Sequence, residues 1–203
     1  ALLARTMPPE RLAALSVRLE TGGRADLKEL TAQLLQAGYT RCDQVEGVGQ
    51  FALRGGILDV FSPLMEKPVR CEFFDDEIDS LGAFDPGTQR RTENVSSALL
   101  LPAAEALPHL APGGTAGLAA RLEKLAAGAE KAGRHELAQT LRQDREALEQ
   151  GRSFPATDRY LALIYPQLAT AADYLPPDAC VLFSESSRVG ERAKTYQWQL
   201  EED

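Results

Sequence analysis

Residues 49–79 constrain the fold most, because three apolar runs follow one another there within thirty-one residues. The runs at 57–61 and 69–74 alternate between apolar and polar residues, which is the two-residue period of a β-strand with one buried face. A shorter run at 51–53 precedes them and is separated from the second run by Arg-Gly-Gly. The sequence therefore predicts an antiparallel meander with one buried face.

The predicted meander also has a polar face. Alternation puts Asp59 on the side opposite the apolar Leu58 and Val60, and it puts Arg70 and Phe74 together on one side of their strand. We expect Arg54, Arg70 and Phe74 to be exposed on this face. Arginine and aromatic side chains are enriched at protein interfaces, so a partner-binding surface is one interpretation, and an ordinary solvated face is the other.

Charge limits the partners of such a surface. The 203 residues carry a formal net charge of −8. Between residues 42 and 86 ten acidic side chains stand against three basic ones, a balance of −7. A segment of that charge repels a phosphate backbone, which argues against nucleic acid as its ligand.

Cysteine and histidine usage excludes several kinds of site. The three cysteines are far apart, and the two histidines, His109 and His135, are isolated, so no zinc site of usual spacing is present. The cysteine pattern, with no apolar run long enough to span a bilayer and no signal peptide, predicts a cytoplasmic protein. The sequence lacks an initiating Met and ends in Glu-Glu-Asp, which we interpret as a fragment of a longer protein.

The predicted elements, and a shift in composition after the last of the module's strands, divide the chain into three parts: a lead-in at 1–14, a module at 15–102 and a flank at 103–203. In the lead-in, a short helix or tail is expected to stop at Pro8 and Pro9. In the module, Asp26 followed by Glu29 predicts a helix start. The predicted elements are strands at 15–20, 39–45, 80–84 and 95–101 and a helix at 27–37.

The flank opens with a linker rich in proline and glycine. Leucine spacing predicts two helices within residues 115–150, separated at Gly133. The all-apolar run at 179–183 predicts a buried strand of the kind found in parallel sheets. A last helix is predicted at 186–199.

A cluster of acidic residues raises a catalytic alternative. Asp75, Asp76, Glu77 and Asp79 could hold a divalent cation and support a hydrolase or nuclease. Strand geometry sends neighbouring side chains to opposite faces, and no EF-hand spacing is present, so a solvated strand end and turn is favoured. Neither a P-loop nor a GxGxxG motif occurs. The sequence therefore predicts no catalytic residue, no metal and no cofactor.

The central motifs resemble a known family. Residues 51–61 and 68–80, with Phe84-Asp85 and Gln89-Arg90, are similar to the UvrB-homology region of the bacterial transcription-repair coupling factors (Mfd), a module that also occurs in UvrB. The resemblance implies an α+β fold for residues 15–102: an antiparallel-sheet UvrB-interaction module that binds UvrA. It implies that helices and part of a RecA-like α/β flank without a nucleotide site follow, similar to domain 1b of UvrB.

Two details favour the coupling factors over UvrB. The sequence FFDDEIDS at 73–80 is in the coupling-factor style, whereas UvrB usually has FFGDEIE. In the strand expected at 179–183, UvrB continues into an acidic Asp-Glu-Ser-His motif, and here Ser184 and Ser187 replace the Asp and the His. A hydroxyl cannot replace the carboxylate on Mg²⁺. The resemblance then implies that this is the degenerate UvrB-like half of a coupling factor, which does not hydrolyse ATP.

By the same resemblance, Arg54, Arg70 and Phe74 bind UvrA. The chain would be a monomeric, non-catalytic adaptor that recruits excision repair to stalled RNA polymerase. The polymerase and DNA would be bound by other domains of the intact protein, in which the UvrA-binding face is masked until the polymerase is engaged. The alternatives are the corresponding UvrA-binding fragment of UvrB and, in another class, the acidic metal-dependent hydrolase or nuclease.

Overall fold

The computed structural model describes residues 4–152, 154, 156–167, 169–182 and 184–202. The described chain is a mixture of mostly antiparallel strands and separate helices, which confirms the predicted α+β class. The strands are β1 (Arg5–Thr6), β2 (Val17–Glu20), β3 (Thr40–Arg41), β4 (Gln50–Arg54), β5 (Ile57–Val60), β6 (Val69–Phe74), β7 (Glu77–Phe84), β8 (Arg91–Asn94), β9 (Ser97–Leu100) and β10 (Ala169–Thr170). The helices are α1 (Pro9–Leu15), α2 (Leu27–Gln36), α3 (Gly114–Lys131), α4 (His135–Glu149), α5 (Leu161–Ile164) and α6 (Ser186–Glu202).

Six of the strands form one sheet in the order β3-β4-β5-β6-β7-β8. The strands from β4 to β8 are antiparallel neighbours that follow chain order, so the predicted meander is confirmed. Among the described strands, only β3 pairs in parallel, with β4. Two smaller antiparallel pairs, β2 with β9 and β1 with β10, complete the described strand pairing.

The inner face of the six-stranded sheet packs against α2. Leu58 lies directly opposite Leu53 on β4 and Cys71 on β6. These inner-face side chains form one apolar core with Leu30 and Leu34 of α2. Because side chains alternate along a strand, burying this set fixes which residues lie on the opposite, outer face of the sheet.

The helix α2 begins and ends as the sequence predicts. The Asp26 carboxylate accepts hydrogen bonds from the backbone N–H groups of Lys28 and Glu29, which satisfies two of the free donors at the helix start. The helix ends before Gly38, which adopts φ +85°. Glycine tolerates this left-handed conformation, and the chain turns there into the first sheet strand.

A second apolar core lies among the helices of the flank. The helices α3 and α4 contribute Leu118, Leu122 and Leu141, and α5 contributes Ile164. The two long helices are separated at Gly133, which has φ +75°, in agreement with the sequence prediction. Met7, near the start of the chain, also belongs to this core.

The lead-in prediction is wrong about the two prolines. Pro8 and Pro9 start helix α1 instead of stopping one, because Pro9 occupies the first helical position. Proline is favoured there for two reasons. An N–H at the first helical position has no acceptor within the helix, so its absence costs nothing, and the fixed φ of proline suits the helix.

The strand predicted at 179–183 is not formed. Residues 179–182 are exposed and have no regular structure, and residue 183 lies outside the described residues. An extended segment is stable only when its backbone pairs with a neighbour, and in the described part of the chain no strand pairs with residues 179–182. The last helix is confirmed, as α6.

Strand boundaries near polar residues were also predicted poorly. The strand expected at 39–45 is reduced to the two residues of β3. The strand β8 was not predicted, because all four of its residues are exposed and its sequence RTEN has no apolar alternation. No described helix combines the length and the apolar character that crossing a bilayer requires.

Tyr165 gives a test of the second core. Its hydroxyl donates to the Glu105 carbonyl at 2.9 Å, and burial raises the pKa of Tyr165 to about 12. An unfolded tyrosine ionises near 10. Between roughly pH 10 and 12 the unfolded chain therefore loses this proton while the folded chain keeps it, so stability is complete below pH 10 and falls as the pH rises.

We expect Tyr165→Phe to reduce the steepness of this alkaline loss, although the variant starts less stable because one hydrogen bond is missing. Urea unfolding followed by circular dichroism from pH 8 to 11.5 measures the effect. Tyr196→Phe, at an exposed position of α6, is the control and should follow the parent curve. Identical slopes for the parent and Tyr165→Phe would contradict the buried environment of Tyr165.

Candidate partner-binding face

Two tight turns bring the predicted site residues to one end of the sheet. Gly55 and Gly56 connect β4 to β5, and Asp75 and Asp76 connect β6 to β7. The turns are neighbours, since the Phe73 N–H donates to the Gly56 carbonyl at 2.8 Å. Gly55 has φ +61° and Asp75 has φ +58°. Glycine adopts this conformation freely, and aspartate tolerates it better than most residues.

The outer face near these turns carries the candidate side chains. Register and burial place all of them on the side of the sheet opposite the α2 core, as alternation predicts. Near the turns, the outer face carries Arg54, Ile57, Asp59, Arg70, Glu72 and Phe74.

Asp59 is the centre of this face. Its side chain is only 1% exposed, yet both of its oxygens accept hydrogen bonds from arginines. Arg70 donates from Nε to Oδ1 at 2.7 Å and from Nη2 to Oδ2 at 2.8 Å. Arg54 donates from Nη2 to Oδ2 at 2.7 Å. One buried carboxylate therefore binds two cations, and the pair with Arg70 is the bidentate arrangement that is strongest for arginine.

Arg70 is held on three sides. Its Nη1 donates to the Gln89 carbonyl at 3.3 Å, and its guanidinium carbon lies 4.8 Å from the centre of the Phe84 ring. The hydrogen bond with Asp59 raises the pKa of Arg70. Only 18% of the Arg70 side chain is exposed, so its predicted exposure is wrong. The cause is the strand register, which sets Arg70 directly opposite Asp59.

Gln89 supports this arrangement from the loop between β7 and β8. It adopts φ +61°, and its Nε2 donates to the carbonyls of Val45 and Pro86. This conformation directs the Gln89 carbonyl at Arg70. Phe84, on the other side of the guanidinium, belongs to a small apolar cluster with Val45 and Phe61.

Arg54 and Phe74 are the accessible members of the face. Half of the Arg54 side chain, 49%, is exposed, and Phe74 is 80% exposed. Ile57, directly opposite Arg54 on the neighbouring strand, is partly exposed. The sheet end therefore presents one cation and one aromatic ring to solvent beside a smaller apolar side chain.

A second ion pair lies next to the first. The Arg91 Nη1 donates to the Ser80 hydroxyl at 3.1 Å and lies 3.5 Å from a Glu72 oxygen. Ser80 in turn donates to Glu72 at 3.0 Å. Arg91 crosses the sheet over Gly82, where a Cβ atom would come within 2.0 Å of the Arg91 Nε. Any larger residue at position 82 would therefore force the Arg91 side chain to move from its place beside Glu72.

The acidic residues at 75–79 do not converge on a metal-binding site. Asp75 and Asp76 occupy the turn, and Glu77 and Asp79 lie on β7. Asp76 is 3.9 Å from Arg24, its nearest ionic contact. Across the described residues, no group of three or more His, Cys, Asp or Glu side chains is arranged to hold a metal ion. His135 contacts Glu130 next to the turn between α3 and α4.

Sequence reasoning placed Asp59 on the outer face but gave it no role. The available signal was an aspartate inside an otherwise apolar strand, ILDVF, since a carboxylate buried in a sheet requires a cationic partner. The supporting roles of Gln89 and Phe84 carried no signal of this kind, because they depend on how a loop and a neighbouring strand fold over Arg70.

Residues 17–105 match the family described as the UvrB interaction domain. The chain is similar to a transcription-repair-coupling factor of Bacillus subtilis, with 32% identity over 97% of this chain and 17% of that protein. Over shorter alignments it is 44% identical to the transcription-repair-coupling factor of Myxococcus xanthus, covering 53% of this chain and 9% of that protein. It is 43% identical to the Escherichia coli protein of the same name, over 51% of this chain and 9% of that protein. The chain spans less than a fifth of the length of these relatives.

The buried ion pairs give a stability prediction. We expect Asp59→Ala to lower the free energy of unfolding by about 3 kcal/mol or more, because it leaves the largely buried Arg70 without a counter-charge. Arg54→Ala should cost less than about 1 kcal/mol, since that pair is half exposed. Urea unfolding at neutral pH measures both.

A paired change separates burial from charge. Asp59→Leu combined with Arg70→Met should have a higher free energy of unfolding than Asp59→Ala, because apolar replacement of a buried ion pair is often close to neutral. A loss below about 1 kcal/mol for Asp59→Ala would contradict a structural role for the shared carboxylate.

Proposed function

Because this chain carries the UvrB interaction domain of the transcription-repair coupling factors, we propose that it binds UvrA through the exposed end of the outer face. The observation that carries the proposal is the position of Phe74 and Arg54. A phenylalanine that is 80% exposed, at the same end of the sheet as a half-exposed arginine, gives a surface that a partner can cover and desolvate. Interfaces are enriched in both residue types, and such anchors account for most of their binding energy.

The two residues have different chemistry toward UvrA. Phe74 supplies an apolar anchor that requires a pocket in the partner. Arg54 keeps four of its five N–H donors free of Asp59, and a guanidinium fork suits a carboxylate. Arg70 belongs to the same site, and its side chain reaches the surface over a much smaller area.

We propose an adaptor with no chemistry of its own in these residues. Its binding of UvrA would recruit excision repair to RNA polymerase stalled on DNA, with the polymerase and the DNA bound by other parts of the full-length protein. The similar proteins named coupling factors support this role over that of a UvrB fragment. The three cysteines are free, which supports a role in the reducing cytoplasm.

Calorimetric titration of the chain with purified UvrA tests the proposal. We expect Phe74→Ala to weaken binding by roughly 30-fold or more, because a desolvated aromatic anchor contributes about 2 kcal/mol. Leu64→Ala is the matched control. Leu64 is 76% exposed and follows the other end of β5, so its loss should change the affinity by less than about twofold.

Circular dichroism must show that each variant is folded. A folded parent that does not bind UvrA would overturn the proposed partner. Equal weakening by Phe74→Ala and Leu64→Ala would overturn the proposed surface and leave the partner intact. Hydrolysis of ATP or cleavage of DNA by the purified chain would overturn the adaptor role without chemistry.

A further inference from the structure

We propose that Asp59 is a positioning residue for partner binding: its buried carboxylate, fixed by Arg70, holds the guanidinium of Arg54 in the orientation in which Arg54 meets a carboxylate of UvrA. The inference rests on the proposed function and goes beyond it. It assigns contact to Arg54 and positioning to Asp59 and Arg70.

The two arginines differ in how many of their N–H donors are already bonded within the protein. A guanidinium has five N–H groups. All three guanidinium nitrogens of Arg70 are directed inward, with Nε and Nη2 on Asp59 and Nη1 on the Gln89 carbonyl. Arg54 has a single described hydrogen bond, from Nη2 to Asp59. Arg54 therefore has the donors and the exposure that a partner needs, whereas Arg70 is committed to the protein.

The carboxylate links the two side chains through one atom. Asp59 Oδ2 accepts from Arg70 Nη2 at 2.8 Å and from Arg54 Nη2 at 2.7 Å. The bidentate pair with Arg70 fixes the carboxylate plane, so Oδ2 becomes a fixed attachment point for Arg54. A free arginine loses rotamer entropy when it is immobilised. The fold has already restricted Arg54 before the partner arrives, which is the general advantage of preorganisation.

The charge of the cluster defines what Arg54 attracts. Two arginines and one aspartate leave a net charge of +1. The nearby Glu72 does not cancel this charge, because it is paired with Arg91. Only Arg54 among the two cations of the Asp59 cluster is half exposed, so the positive charge is presented at the Arg54 guanidinium. A carboxylate of the partner is the group that fits this fork.

A double-mutant cycle tests the assignment. Asp59→Asn keeps the shape of the side chain and removes its charge. We expect it to weaken UvrA binding by about tenfold when Arg54 is present, on the scale of one charged hydrogen bond, and by less than about twofold in the Arg54→Ala background. Arg70→Ala should show the same dependence on Arg54. Glu72→Gln is the control, because Glu72 is an outer-face acid that is paired with a different arginine, Arg91. It should leave unchanged the loss of UvrA affinity that Arg54→Ala causes.

A measurement on the free chain removes any dependence on UvrA. Nitrogen-15 relaxation of the arginine Nε groups should show that Arg54 is ordered in the parent and mobile in Asp59→Asn. A merely structural Asp59 would instead lower the affinity equally with and without Arg54. That result, or an Arg54 side chain that is mobile in the folded parent, would overturn the proposal. If the parent does not bind UvrA, the proposed function fails, and the relaxation experiment still decides whether Asp59 holds Arg54.

Discussion

The structure of the outer face depends on one buried charge. A carboxylate that is 1% exposed is unfavourable inside a sheet unless cations and hydrogen bonds compensate it. Asp59 obtains this compensation from Arg70, and Arg70 then requires its own surroundings: the Phe84 ring on one side and the Gln89 carbonyl on another. The loop between β7 and β8 is thereby tied to the centre of the sheet.

The outer face also changes character along its strands. At one end an apolar cluster that includes Phe61 and Phe84 is buried under the loops. In the middle the charge of Asp59 is neutralised by arginine, and at the turns Arg54 and Phe74 extend into solvent. This gradient explains how one sheet face can both stabilise the fold and keep side chains accessible to solvent. The buried end and the ion pairs hold the backbone, while the exposed end carries the side chains that remain available.

Local features of this fold could be predicted from the sequence. The alternation at 57–61 and 69–74 reports only on neighbouring residues, and it predicted the strands and their faces correctly. The cap at Asp26 predicted the start of α2 for the same reason. The contact of Asp59 with Arg70 depends on the pairing register of β5 and β6, which no local pattern contains. The exposure of Arg70 was therefore predicted wrongly. The strand predicted at 179–183 was wrong for a different reason, because an apolar sequence forms a strand only where a pairing partner exists.

The shared carboxylate changes how substitutions at this site should be interpreted. Loss of binding on truncating a residue includes every rearrangement that the truncation causes, so it does not by itself identify a contact. Arg70→Ala removes the bidentate partner of Asp59, and Asp59 is the described hydrogen-bond partner of Arg54. A defect at Arg70 can therefore be expressed entirely through Arg54, although little of Arg70 is accessible. Members of an ion-pair network are not additive, and in this sheet the network extends from a buried carboxylate to a half-exposed guanidinium. Arg54, Asp59 and Arg70 are best regarded as one unit, in which Arg54 presents the largest area to a partner. Phe74, outside this network, is exposed at the same end of the sheet.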